Sequence, residues 1–283
     1  MSGERSSLEQ HLQHWQESYG ADLAVPTGRA TPRQLAPHAE SVPAPEPAAA
    51  TQRDPAPPSK VQPEPAAAVP AADRAAAPTP TALLNEAESA LAEVRSDVIP
   101  CTRCKLHQGR RTAVFGEGNP RARVLFVGEA PGAKEDQTGR PFVGPAGQLL
   151  DRIIEGAMGL RREDVFIANV NKCRPPNNRA PAPDEVAACL PFLKRQVEIL
   201  QPDVIVCLGR TAAQNLLGSS ESTTAMRRRQ HEYSNTPVIV TWHPAYLLRE
   251  PSRKRETWED IKTVNRLLGL PDVPAAQAKG TAK

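Results

Sequence analysis

From residue 123 onward the chain alternates two hydrophobic patterns. Short, continuous apolar runs at 123–128, 164–170, 203–208 and 237–242 have the length of strands, and read as strands buried on both faces. Between and after them, apolar positions recur every three to four residues over 146–157, 184–200, 211–217 and 252–268, which predicts helices. Pro183 falls at the start of the second helix, and Gly218 just past the end of the third, where each is favoured. Strands alternating with helices imply a parallel sheet covered on both sides. The expectation is a three-layer α/β/α sandwich with a central parallel sheet of about four strands. Ligands of such sheets gather outside the carboxyl ends of the strands. The polar segments 128–132, 169–173 and 243–246 all fall there and should share one rim.

Upstream the pattern weakens. A helix is predicted over 82–96, leading directly into Cys101 and Cys104. Another is predicted over 7–19, where Leu8, Leu12, Trp15 and Tyr19 share helical spacing. This short amphipathic element, within 1–20, either docks a protein partner or packs on the folded domain. Residues 21–81 are dominated by Pro and Ala, too poor in apolar bulk to offset the entropy of ordering, and read as a disordered linker. One folded unit over 82–270 remains, followed by a short tail at 271–283.

Charge and cysteine usage narrow the chemistry. A formal charge of +3 does not by itself argue for nucleic acid. Its distribution says more: Arg227, Arg228 and Arg229 form one run, and Arg249, Arg253, Lys254 and Arg255 form another around the His243 segment. Such runs are either a solvated face or phosphate contacts. With no apolar span of bilayer length and no basic-then-apolar leader, the expectation is a cytoplasmic protein without membrane association. The five cysteines do not have the spacing of a secreted disulfide framework. Cys101, Cys104, Cys173 and Cys189 read as metal ligands or redox thiols. Cys207 lies inside a strand pattern and reads as a buried apolar residue.

The ordered set Gly128-Glu129-Ala130-Pro131-Gly132, Glu135-Asp136, Gly139-Arg140-Pro141-Phe142-Val143-Gly144, Asn169-Val170-Asn171-Lys172-Cys173-Arg174-Pro175-Pro176 and His243-Pro244-Ala245-Tyr246-Leu247-Leu248-Arg249 resembles the family 4 uracil-DNA glycosylases, the iron–sulfur members of their superfamily. The resemblance covers about 95–270. The N-terminal tail has no counterpart in the family core. It implies that Cys101, Cys104, Cys173 and Cys189 ligate a [4Fe–4S] cluster of structural role. By residue chemistry alone, four thiolates also suit tetrahedral zinc. Structural zinc more often uses two tight C-x-x-C pairs, whereas here the second pair is widely spread.

The same resemblance gives roles to the rim. Phe142, otherwise a hydrophobic plug in a Gly/Pro-rich loop, becomes the stacking platform under uracil. Asn169, otherwise a turn or cap residue, can match the O4 and N3–H of uracil with one amide and reject cytosine, whose pattern is reversed. His243, otherwise a satisfied structural histidine, becomes the donor to uracil O2. Glu129 acts near the sugar, through electrostatics and placement of water. Ala130, Phe142, Asn169 and His243 form the uracil pocket, and Glu129, His243 and Asn169 the catalytic set. Leu247, Leu248 and Arg249 are expected to enter DNA beside the flipped nucleotide, with one of the two leucines packing inward.

The implied activity is hydrolysis of the N-glycosidic bond of deoxyuridine in DNA by a monomeric enzyme, leaving an abasic site. No lysine is obviously set for Schiff-base chemistry. A relative that captures uracil-DNA covalently carries a basic insertion with a nucleophilic His after the second motif. Here Lys172 to Arg179 runs on without one, and His231 lies elsewhere. A non-enzymatic iron–sulfur or zinc module would keep the thiols but have no need of Glu129, Phe142, Asn169 and His243 together.

Overall fold

The structure, a computed structural model, describes residues 80–271. The helix expected at 7–19, nearly all of the linker and the C-terminal tail lie outside the described residues.

In chain order the main elements are helix α1 (Pro80–Val98), strand β1 (Glu117–Gly118), β2 (Val124–Gly128), α2 (Ala133–Thr138), α3 (Pro145–Ile153), β3 (Phe166–Asn169), α4 (Pro183–Leu200), β4 (Val204–Leu208), α5 (Arg210–Leu217), α6 (Thr223–Met226), β5 (His231–Tyr233), β6 (Thr236–Thr241), α7 (Pro244–Arg249) and α8 (Lys254–Leu268). The sheet order is β1-β3-β2-β4-β6-β5. The four inner strands are mutually parallel, as the apolar runs predict. The two short edge strands pair antiparallel and extend the expected sheet from four strands to six.

Alternation along the strands sorts the core into two layers. Leu125 and Val127 of β2, with Ile205 and Cys207 of β4, pack under α1, α4 and α5. Val124 and Phe126, with Val204 and Val206, pack under α3, α7 and α8. The helix expected over 146–157 is α-helical to Ile153 and then widens into a π-helical turn, Ile154–Met158. Pro183 begins α4, and Gly218 caps α5 with φ +64°.

This layering places the crevice. From β2 the chain passes to α3 on one face, and from β3 it passes to α4 on the other. Adjacent strands whose exits diverge leave a gap at their carboxyl ends. The residues paired at that gap are Gly128 and Asn169.

Candidate active site and thiol recess

A cleft of about 430 Å³ opens at this point, within the range of small-molecule sites. Its walls include Glu129, Ala130, Phe142, Asn169, His243 and Arg249. Six of the predicted rim residues, from four separated segments, thus meet around one space.

Gly128 sets the floor. A Cβ there would stand 2.3 Å from Asn169 Oδ1 and 2.6 Å from Phe142 Cζ. The amide and the ring therefore occupy the space a side chain would take. Phe142 itself is buried and holds φ at +50°, a left-handed conformation costly for a bulky residue. Two neighbours hold it there. Glu135 Oε1 accepts from the backbone N–H of Val143 and of Gly144, each at 2.8 Å. The Arg162 guanidinium donates to the carbonyls of Pro141, at 2.5 Å, and Phe142, at 3.2 Å. The motif containing Glu135 was visible in the sequence, but its task as a loop clamp was not, and Arg162 carried no signal.

Asn169 is 2% exposed, and its Oδ1 is buried without a hydrogen-bond partner. An unmet acceptor in such a place costs about 1–3 kcal/mol, so its retention beside a cleft points to a ligand that donates to it. His243 follows β6 and caps α7. The N–H of Ala245 donates to its Nδ1 at 3.1 Å. Burial, and secondarily the Arg249 charge, push its pKa down to about 4. The imidazole is therefore neutral near pH 7, and with Nδ1 accepting, the proton sits on Nε2. The His243 and Phe142 rings lie 5.7 Å apart, centre to centre, tilted by 32°.

The segment after His243 is helix α7, and this decides the fate of its leucines. Leu247 is 1% exposed and packs in the core beneath α7, so it is not available to DNA; Leu248 is 44% exposed. Arg249 is exposed at the end of α7 and lines the cleft. The run at 227–229 also divides. Arg227 pairs with Asp260 and Glu256 and lies 5.1 Å over the Trp242 ring, a partly buried brace behind the His243 segment rather than a phosphate contact. Thr241 Oγ1 donates to the same Asp260 at 2.6 Å. His231 bonds with the Met226 carbonyl on edge strand β5 and is not part of the cleft wall. Tyr246, part of the rim segment expected at 243–246, also lines the cleft, as do Asn178 and Arg179, for which the sequence indicated no role there.

Cys101, Cys104, Cys173 and Cys189 line one recess between α1, the turn after it and α4. Arg110 donates to the Cys173 sulfur at 3.1 Å, and the Lys172 N–H to the Cys189 sulfur at 3.2 Å. Burial pushes the Cys173 thiol up and Cys189 to about 11. Both would stay protonated unless a cation joined them. Donors aimed at sulfur suit thiolate ligands, so the residues fit a thiolate-bound group. As the side chains stand, no three His, Cys, Asp or Glu residues among those described are set to hold a metal ion. Cys207 is fully buried in β4, and burial raises it to about 12, as expected of an apolar-like residue.

An α/β sandwich on a mostly parallel sheet, with a cleft at its switch point that brings Phe142, Asn169 and His243 together, defines the class of protein. The family model described as the uracil DNA glycosylase superfamily matches residues 115–262. A type-4 uracil-DNA glycosylase of Thermotoga maritima is 51% identical over 177 residues, 61% of this chain and 92% of the relative. Others from Sulfurisphaera tokodaii and Archaeoglobus fulgidus are each 45% identical, over 64% and 63% of this chain and 86% and 94% of theirs. The chain belongs to the type-4 uracil-DNA glycosylase family of that superfamily.

Proposed function

We propose that this protein hydrolyses the N-glycosidic bond of deoxyuridine in DNA, releasing uracil and leaving an abasic site. The observation that carries the proposal is the buried, unpartnered Oδ1 of Asn169 in a cleft shared with Phe142 and a neutral His243. The nucleotide is extruded from the stack, and its base lies on the Phe142 ring. Asn169 Oδ1 accepts the N3–H of uracil while its amide N–H donates to O4. Cytosine offers an acceptor and a donor at those positions and is refused. His243 donates through Nε2–H to O2, where negative charge grows as the bond breaks. Glu129 stabilises the sugar cation and orients the attacking water. Among the described residues no lysine lines the cleft, which supports a monofunctional enzyme without a Schiff-base step.

Leu248 supplies the apolar wedge and Arg249 a phosphate contact at the cleft mouth. The four cysteines hold a [4Fe–4S] cluster. The wide spread of the second cysteine pair, Cys173 and Cys189, favours the cluster over structural zinc, which more often uses two tight C-x-x-C pairs. The cluster ties α1 and the turn after it to α4. The enzyme acts as a monomer in the cytoplasm, on the nucleoid when bound to DNA. Residues 1–20 dock a partner at the end of the linker 21–81, a reading supported by the apolar spacing of Leu8, Leu12, Trp15 and Tyr19.

Incubation with a uracil-containing oligonucleotide, divided between an alkali-treated gel and a denaturing protein–DNA gel, tests the activity. Alkali-labile breaks at uracil that disappear in His243→Ala are expected. A denaturation-resistant protein–DNA band, or no break with cluster-replete protein, would refute it.

A further inference from the structure

The stretch from Asn169 to Cys173 runs from the cleft to the thiol recess, and its fourth residue is a lysine with no path to solvent. Lys172 is 1% exposed. Its ammonium donates to the backbone carbonyl of Asn169 at 2.8 Å and to Gln196 Oε1 at 2.6 Å. Gln196, fully buried on α4, is itself fixed by donating to the Phe115 carbonyl at 3.0 Å. The backbone of Lys172 is held at both ends: its carbonyl accepts from Val114 N–H at 2.7 Å, and its N–H donates to the Cys189 sulfur.

Burying an ammonium against neutral oxygens is costly, and a methionine would fill the same volume without that cost. What the ammonium adds is a grip on one particular carbonyl, that of the residue whose side chain carries the orphan Oδ1. Asn169 ends β3, paired with Gly128 on the β2 side. Its carbonyl points the other way, since the Val170 N–H of the same peptide donates to Gly128, and there pairing with β1 stops at Ile167, so the ladder alone does not fix that carbonyl. The geometry points to Lys172 as the positioning residue for the base-reading amide: it pins Asn169 to α4 and, through its own backbone, to the thiol recess. The proposal rests on the uracil-reading role given above to Asn169.

The test is a double-mutant cycle in the full-length protein between Lys172→Met and Asn169→Ala, read by the single-turnover rate of uracil release. Lys172→Met should slow release by about tenfold or more, the worth of one charge-assisted hydrogen bond. In the Asn169→Ala background it should add less than about twofold, because residues acting through one another are not additive. Effects that multiply would overturn the proposal.

Lys172→Met combined with Gln196→Leu also removes the side-chain amide that Lys172→Met strands, while the Asn169 and Phe115 carbonyls lose these donors. Where its melting temperature recovers relative to Lys172→Met, release should stay slow. Recovery of both together would mean a merely structural lysine and would also overturn it. A third reading needs no DNA. The side-chain amide ¹H–¹⁵N resonance of Asn169, assigned by its loss in Asn169→Ala, should shift in both Lys172 variants, and an unmoved signal refutes the positioning role. If the parent released no uracil while this resonance moved, the glycosylase reading would fall and the positioning role would stand.

Discussion

The N–H of Ala245 points at Nδ1 of His243 from 3.1 Å, on the first turn of the helix that His243 itself caps. That one bond sets the tautomer, because a nitrogen that accepts cannot also carry the proton. It leaves Nε2–H as the donor, and protonating Nδ1 would break the cap as well as charge the ring. The helix geometry and the burial therefore act in the same direction.

A pH consequence follows. The pKa of His243 is depressed from 6.5 to about 4. Between those values the unfolded chain takes up a proton that the folded chain refuses, so this group's contribution makes stability fall as pH drops from 6.5 toward 4. The functional form, neutral with Nε2–H, persists over the same interval. Single-turnover rates measured from pH 8 to pH 4 should show no loss at 6.5 assignable to His243, with the acid limb appearing near pH 4. An acid limb centred at 6.5, with the His243 imidazole resonances titrating at the same pH, would contradict the assignment.

Gly128→Ala is a second test, and a severe one for so small a change. The added methyl would meet both Asn169 Oδ1 and the Phe142 ring well inside contact distance. Overpacking of this kind costs about 1–3 kcal/mol of stability. Because the two displaced groups are the reader and the platform, uracil release should fall by about 100-fold or more, as misplacement by about 1 Å can do. Thermal melting measured beside the rate distinguishes a folded, disabled enzyme from an unfolded one.

The sheet and the rim were legible because each rests on a local signal. The inner strands are continuous apolar runs, and the segments at their carboxyl ends carry Gly, Asn and His where a buried strand would carry Val. What was not legible depends on partners far away in the chain. Arg227 stands in a run of three arginines, yet its companions Glu256 and Asp260 lie on α8 and draw it inward. Strands β1 and β5 are too short to show alternation. Lys172 reads as an ordinary basic residue until α4 brings Gln196 against it. The two leucines of α7 are adjacent in sequence, and only the start of the helix at His243 decides which one faces the core.

The thiols give a compositional prediction. Replacing Cys101, Cys104, Cys173 or Cys189 by Ala should abolish or sharply reduce bound iron and acid-labile sulfide, and the visible absorbance with them. Cys207→Ala should leave all three unchanged, since its sulfur lies within β4 and does not line the recess. Its cost should appear only in the melting temperature, at about 1 kcal/mol or somewhat more for the small cavity created. Stoichiometric zinc without sulfide in the parent protein would refute the cluster and leave the four-thiol site in place.

The leucine pair offers the sharpest contrast of outcomes from neighbouring positions. Leu247 sits in the core under α7, and Leu247→Ala should cost about 2–5 kcal/mol of stability, the usual price of a buried leucine. Leu248 projects into solvent beside the cleft, and Leu248→Ala should change stability by no more than about 0.5 kcal/mol. Its effect should instead appear with DNA. A wedge replaces stacking lost when a nucleotide leaves a duplex, a loss that hardly arises in a flexible single strand. Uracil release by Leu248→Ala should therefore be slowed more on duplex than on single-stranded substrate. Equal slowing on both would assign Leu248 to contact with the strand itself, and no slowing on either would remove it from the DNA interface.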